Sequence, residues 1–347
     1  MSVVETPALA QARAAGGRGA AVPALLAGAL AVLLVLAVGL GASWMPPIRV
    51  IGALLGAGER TDTVIVWTLR LPRVLLAALA GAALALAGLL LQRATRNALA
   101  APSVLGVVDG AALGVLLFLF AFSNSANALT VSIHWQQPAA AAGAMSLAAV
   151  VLLLSRRDGA GPLRLILYGV ALAALADALV VLLIVAGPVH RAGQALTWLA
   201  GSVQAAAWRD VQILLAALLA GAGSAALLAR PLDQLRLDDA TATGTGLDVG
   251  ATRIGAFALS VLLTAAAVSV AGGIGFVGLV APHVARRLAA PRFAAQAVAA
   301  SLAGAIFVVG ADLIARLAFA PLEVPVGAVT ALVGVPLFLA LLARTRR

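Results

Sequence analysis

The sequence predicts an all-α, polytopic helical membrane protein with about ten transmembrane helices. Three observations carry this. Of 347 residues, 63% are hydrophobic and only 10% charged, where a soluble domain carries about 25% charged residues. The apolar residues form continuous runs rather than the every-second-residue alternation of a membrane β-barrel. Those runs are about the 20 residues that a helix needs to cross the hydrocarbon. The same numbers exclude an ordinary cytosolic enzyme, a disordered tail and a nucleic-acid-binding module.

Taken in order, residues 1–21 are small and polar with Arg13 and Arg18, and read as a cytoplasmic leader before a retained first helix, not a cleaved signal. Spans are expected at 22–43, 72–92, 103–122, 138–154, 164–186, 210–229, 254–272, 276–290, 294–316 and 326–343, the eighth short and interrupted. Residues 22–347 thus form a single transmembrane domain. Three connections exceed a turn: 44–71 and 123–137 on one side, 230–253 on the other. The first two are candidate binding surfaces or short surface helices. The third carries Asp233, Arg236, Asp238, Asp239, Asp248 and Arg253. Its pattern Leu235, Leu237, Ala240, then Thr245, Gly246, Leu247 predicts two short amphipathic helices broken at Gly244 and Gly246. A solvated loop would show similar composition, but a folded mixed-charge loop is what a soluble partner needs for docking.

Every one of the 23 basic residues is Arg. With the N-terminus inside, sixteen fall on the inner side and seven on the outer side, which sets the orientation and returns the C-terminus inside. The absence of Lys forbids a P-loop, whose Lys reaches the nucleotide phosphates; any ATP that powers this chain is hydrolysed on another subunit. No Cys is present, and His134, His190 and His283 are far apart in sequence, so no metal site is expected.

Gly273-Ile-Gly275-Phe-Val-Gly278 has the spacing of a dinucleotide fingerprint but lacks the preceding strand and the following acid. Its glycines instead fit close backbone approach or a helix break at membrane depth. Gly106, Gly110 and Gly114 make one flat helix face for packing. Intramembrane acids carry a functional expectation, here for Asp109, Asp177 and Asp312. Asp312 lies one turn before Arg316, so an i,i+4 ion pair is its simplest role. Arg70-Leu-Pro-Arg73 sits where the second span begins on the outer side, and Arg316 reaches the same side. These three Arg lie where topology does not ask for positive charge, which points to an external carboxylate-bearing partner.

At this point the motifs resemble the FecCD family, the permeases of binding-protein-dependent ABC importers for iron–siderophores, haem and vitamin B12. The blocks are Arg70-Leu-Pro-Arg73; Gly81, Gly88 and Gln92; Arg96-Asn-Ala-Leu-Ala with Pro102 and Leu105-Gly-Val; Gly272 through Arg287; Asp312 with Arg316; Glu323-Val-Pro-Val-Gly327; and Gly334-Val-Pro-Leu-Phe338. Ala98 and Gly273 stand where the family commonly has Pro, and Ala240 to Thr243 depart from its usual loop.

The resemblance implies an inner-membrane permease for a metal chelate, most of all a ferric siderophore, with no covalent chemistry and no cofactor of its own. It implies a second permease subunit, identical or paralogous, two ATPase subunits holding ATP and Mg, and an extracytoplasmic binding protein docking on Arg70, Arg73 and Arg316. Coupling to the ATPase would use Leu235, Leu237, Asp238, Asp239, Thr241, Gly244, Gly246 and Leu247. Helix breaks and packing would use Gly106, Gly110, Gly273, Gly275, Gly278, Pro282, Pro325, Gly327 and Pro336. The alternatives are an ion-coupled secondary transporter using the intramembrane Asp residues, and a structural membrane protein.

Overall fold

A computed structural model describes residues 7–41, 44–124, 128–157, 162–186, 189–318 and 324–343. Its helices, in chain order, are α1 (Pro7–Gly39), α2 (Pro47–Leu54), α3 (Arg60–Val64), α4 (Leu71–Thr95), α5 (Val107–Ala121), α6 (Gln136–Arg157), α7 (Pro162–Ala186), α8 (Val189–Leu199), α9 (Trp208–Leu227), α10 (Ala229–Gln234), α11 (Asp239–Gly244), α12 (Val249–Ala271), α13 (Val277–Leu288), α14 (Phe293–Leu317) and α15 (Val326–Ala343). Among the described residues seven segments are long and apolar enough to cross a membrane: those of α1, α4, α6, α7, α9, α12 and α14. The shorter apolar α5 and α15 lie at two of the other expected positions. Helix α13, at the expected eighth position, has 12 residues, too few to cross the hydrocarbon by itself.

Helix α4 is the axle. Pro72 sits in its first turn, where no donor is required, and Arg96 ends it in the left-handed conformation at φ 51°. Helices α14, α12, α13 and α9 pack around it. The close approach follows from glycine. A Cβ on Gly81 would lie 2.2 Å from the Gly304 carbonyl oxygen, and one on Gly88 2.0 Å from that of Gly278. Association in lipid rests on such backbone-to-backbone contact, because lipid tails are as apolar as Leu. Lipid-facing helices leave their large apolar side chains outward, as Leu167 and Val181 on α7 do.

The connections are also structured. Residues 44–71 hold α2, α3 and a π-helical turn, Ile65–Arg70, leading directly into α4. Trp67 stacks on Trp208 at 5.8 Å, and the Trp208 indole N–H donates to the Trp67 carbonyl at 2.9 Å. The 187–209 connection, which the sequence reading passes over, contains α8 and an extended stretch that packs inside the bundle.

Candidate functional site

Three places bring the sequence-predicted residues together. The first is the break between α12 and α13. Helix α12 stops at Ala271, Gly272 takes φ 69°, and Phe276, a non-glycine residue at φ 64°, starts α13. Polar backbone freed at membrane depth must be satisfied within the protein. Here two other irregular segments do so. The Ser202 N–H donates to Ala271 O at 2.9 Å, the Gly273 N–H to Trp198 O at 3.2 Å, and the Gly327 N–H to Gly201 O at 3.3 Å. A Cβ on Gly327 would lie 2.2 Å from Ala200 O and 2.4 Å from Gly273 O. Gly273 and Gly327 therefore meet in space although more than fifty residues apart.

Gly275 has open space beside it, whereas Gly278 is seated against α4. Pro282 is buried within α13 and Pro336 lies inside α15; Pro325 immediately precedes α15. Gly106 starts α5 at φ 78°. The face from Gly110 to Gly114 packs on α6, where added Cβ atoms would lie 2.8 Å from Gly143 O and 2.3 Å from Ala139 O.

The second place gathers Arg70, Arg73 and Arg316, together with Asp312. Arg73 Nε and Nη2 each lie 3.0 Å from Asp312 Oδ1. Arg316 Nε is 3.1 Å from Oδ2, the expected i,i+4 pair, as an ion contact off the hydrogen-bond line. Arg70 Nη1 donates to Val38 O at 2.8 Å and Gly39 O at 3.0 Å. Arg316 donates to Leu40 O at 3.2 Å through Nη1 and to Ala37 O at 3.0 Å through Nη2. The end of α1 thus gives its unpaired carbonyls, the negative pole of the helix, to two guanidiniums. The Arg73 and Arg316 side chains are 11% and 9% exposed. In this conformation all three arginines are engaged inside the chain. Arg49, which pairs with Asp62 at 2.8 Å through Nε, and Arg60 are the exposed cations on the neighbouring α2 and α3.

Of the other intramembrane acids, Asp109 is half-buried at the start of α5 and Asp177 is exposed on α7. Gly106 abuts Ala173, so the two carboxylates lie about one turn further along neighbouring helices.

The third place is the 230–253 segment, which folds into two short helices, α10 and α11, placed differently from the expectation. Leu235 and Leu237 lie in the break between them, and Thr245 to Leu247 form the turn after α11, because the Asp238 cap starts the second helix at Asp239. Asp238 caps α11 by accepting from the Thr241 N–H at 3.0 Å and its hydroxyl at 2.6 Å. Asp248 caps α12 through the Ala251 N–H at 2.8 Å. Such caps satisfy the unpaired N–H groups of a first turn. Helix α11 ends at Gly244, and Gly246 turns the chain at φ 86°.

The segment is tied to the end of α4. Arg96 Nε donates to Leu235 O at 2.6 Å, another of its nitrogens to Leu237 O, and Nη1 meets Asp239 Oδ1 at 2.7 Å. Arg253 holds both oxygens of Asp239, at 2.9 and 2.8 Å. The hydrogen bonds from Arg253 and the charge of both guanidiniums hold the Asp239 carboxyl below its ordinary range; the Thr241 bonds lower that of Asp238. Leu235 is buried as the anchor. Leu237, Asp238, Asp239, Thr241, Gly244 and Gly246 are exposed, and Leu247 is half-buried. Sequence reasoning missed Arg96 and Arg253 as the staples; Arg96 was visible only as a motif residue.

An interlocked helical bundle with broken helices and a capped two-helix segment on one face defines the class: a multi-pass membrane permease. Residues 29–344 match the FecCD transport family, and the chain belongs to that family; it is the permease subunit of an ABC importer, not the ATP-hydrolysing one. It is 41% identical over 324 residues to the "Probable siderophore transport system permease protein YfhA" of Bacillus subtilis (strain 168), covering 93% of this chain and 94% of that one. It is 42% identical over 322 residues to the achromobactin transport system permease protein CbrC of Dickeya dadantii (strain 3937), covering 91% of each. A solved structure described as an inward-facing metal-chelate type ABC transporter superposes with a TM-score of 0.82 at 29% identity, over 93% of this chain and 98% of that one. An ABC importer implies ATPase and binding-protein partners.

Proposed function

We propose that this chain carries a ferric siderophore across the inner membrane, with both termini cytoplasmic and α10 and α11 facing the ATPase. The partners are a second permease subunit, identical or paralogous, two ATPase subunits that bind ATP and Mg, and an extracytoplasmic binding protein. The observation that carries this reading is the capped α10–α11 segment stapled to α4 by Arg96 and Arg253, which gives a push on that face a rigid path into the central helix. Relatives named for siderophores at 41% and 42% identity support the cargo. Movement is biased only where the nucleotide or the cargo binds the inward- and outward-facing packings with different affinity.

The binding protein is proposed to meet the face of α2, α3 and the start of α4. Contact through Arg70, Arg73 and Arg316 requires the end of α1 to release them. Arg49 and Arg60 already stand on that face. Residues 1–21 form a leader, and 22–347 a single transmembrane unit.

The test is uptake of a radiolabelled ferric siderophore by vesicles containing the whole importer. Uptake that needs ATP and the binding protein and survives a protonophore is expected. Uptake driven by an imposed pH step without the ATPase would overturn the reading and restore the ion-coupled alternative.

A further inference from the structure

A cavity of about 380 Å³ lies between the end of α4, the α10–α11 segment and the turn joining α13 to α14. Its walls carry four guanidiniums from three separate places in the chain: Arg93 and Arg96, Arg236, and Arg286. Their hydrogen bonds go largely to neutral oxygens. Arg93 Nη2 donates to Gln296 Oε1 at 2.7 Å and to Pro291 O at 3.2 Å. Arg236 Nη1 donates to the same Pro291 O at 3.1 Å, and Arg286 donates to Gln92 Oε1. Neutral acceptors satisfy donors without cancelling charge.

The acids nearby are fewer than the arginines around the cavity, and the charge of Asp233 still acts on Arg93. Asp233 accepts from the Phe293 N–H at 2.8 Å, capping α14, and Asp239 is shared between Arg96 and Arg253. Arg93 is within electrostatic range of both Arg236 and Arg286. The positive-inside tendency explains why Arg residues are on this face. It does not explain why they converge on one cavity, against their mutual repulsion.

We propose that this cavity binds a phosphate-class oxyanion. Each guanidinium presents five N–H donors in a planar fork suited to phosphate oxygens. A dianionic tetrahedral group brings more charge and more acceptor oxygens to converging forks than a carboxylate, which here serves two guanidiniums at most, as Asp239 does. The walls belong to α4, the α10 connection, α13 and α14, so a bound anion fastens the partner-facing segment to the transmembrane core. Free phosphate supplies this dianion; the phosphodiester of an anionic phospholipid headgroup supplies the same kind of oxygen with a single charge.

The test uses the purified full-length chain and reads binding, so it stands apart from the transport reading. Inorganic phosphate is titrated in zwitterionic detergent at constant ionic strength set with chloride, following the thermal midpoint. In parallel, the chain is placed in nanodiscs of phosphatidylcholine with or without phosphatidylglycerol. A midpoint raised by phosphate but not by phosphatidylglycerol assigns the site to a soluble anion. A midpoint raised by phosphatidylglycerol, with phosphate competing, assigns it to the headgroup. In either case R236Q and R286Q should each weaken apparent binding by about tenfold or more, as loss of a charge-assisted hydrogen bond predicts. R236Q alone keeps the test decisive if R286Q fails to fold, because Arg236 is exposed. No shift beyond chloride, or an equal shift in R236Q, overturns the proposal. So does stabilisation that appears only with the ATPase subunit, which would make the occupant a protein carboxylate.

Discussion

The two ends of α4 hold contrasting arginine groups. At its start, Arg70, Arg73 and Arg316 are buried against one carboxylate and the carbonyls that end α1. At its finish, Arg96 and Arg253 share the Asp239 carboxylate while Arg93, Arg236 and Arg286 donate to neutral oxygens. Arg96 and Arg236 keep solvent contact, whereas Arg253 is as enclosed as Arg73. A guanidinium removed from water must be matched in place, since leaving it unpaired costs several kcal/mol. One that keeps solvent contact tolerates excess charge and stays available. The contrast teaches that the first group ties α1, α4 and α14 together, whereas the second ties the 230–253 segment to the end of α4 and leaves more positive charge there than the nearby acids balance.

The largest expected effect breaks this comparison if it fails. Asp312→Ala leaves Arg73 and Arg316 buried without their anion and should destabilise the chain by about 3–5 kcal/mol, read as a lowered thermal midpoint in detergent. Next, Gly88→Ala drives a Cβ into the Gly278 carbonyl and should cost about 1–3 kcal/mol through overpacking, by the same measurement. Asp239→Asn, at the inner end, should cost under about 1 kcal/mol because the pair is solvent-screened. Its signature is faster limited proteolysis within 230–253 at a nearly unchanged midpoint. A loss as large as that of Asp312→Ala would erase the distinction between the two ends.

The smallest effect concerns pH. The folded state favours ionised Asp239, so its stabilisation is fully present above the ordinary carboxyl value of 3.8 and is lost as pH falls through the lowered folded value. Protease access to 230–253 should therefore be flat from about pH 5 to 8, well above the ordinary Asp range. A transition inside that window would show that another group governs the segment.

The spans were legible because hydrocarbon thickness sets run length, and the last began where it was read, at Val326. The Asp312–Arg316 pair was legible because one helical turn separates its members. That 230–253 holds two short helices was legible and their positions were not. Only the end of α11 at Gly244 matches, because Leu235 and Leu237 pack in the break between the helices and not along one of them. Other features left no local signal. Arg73 and Asp312 are 239 positions apart, and the carbonyls that bind Arg70 belong to backbone that any sequence provides. The 187–209 connection went unread because its extended stretch, Gly201 to Ala207, has neither the length nor the periodicity of a helix, although Gly201 and Val203 are buried. Its role is to satisfy the backbone of the α12–α13 break.

By itself, the sequence determined that this chain is a helical, multi-pass membrane protein and which family it resembles. Those properties follow from composition, run length and short motifs, all of which are local. Only the tertiary structure decided which arginines are consumed inside and which keep charge to spare. That depends on which oxygens packing brings within 3 Å or so of each guanidinium, and helix packing joins residues that no local pattern relates.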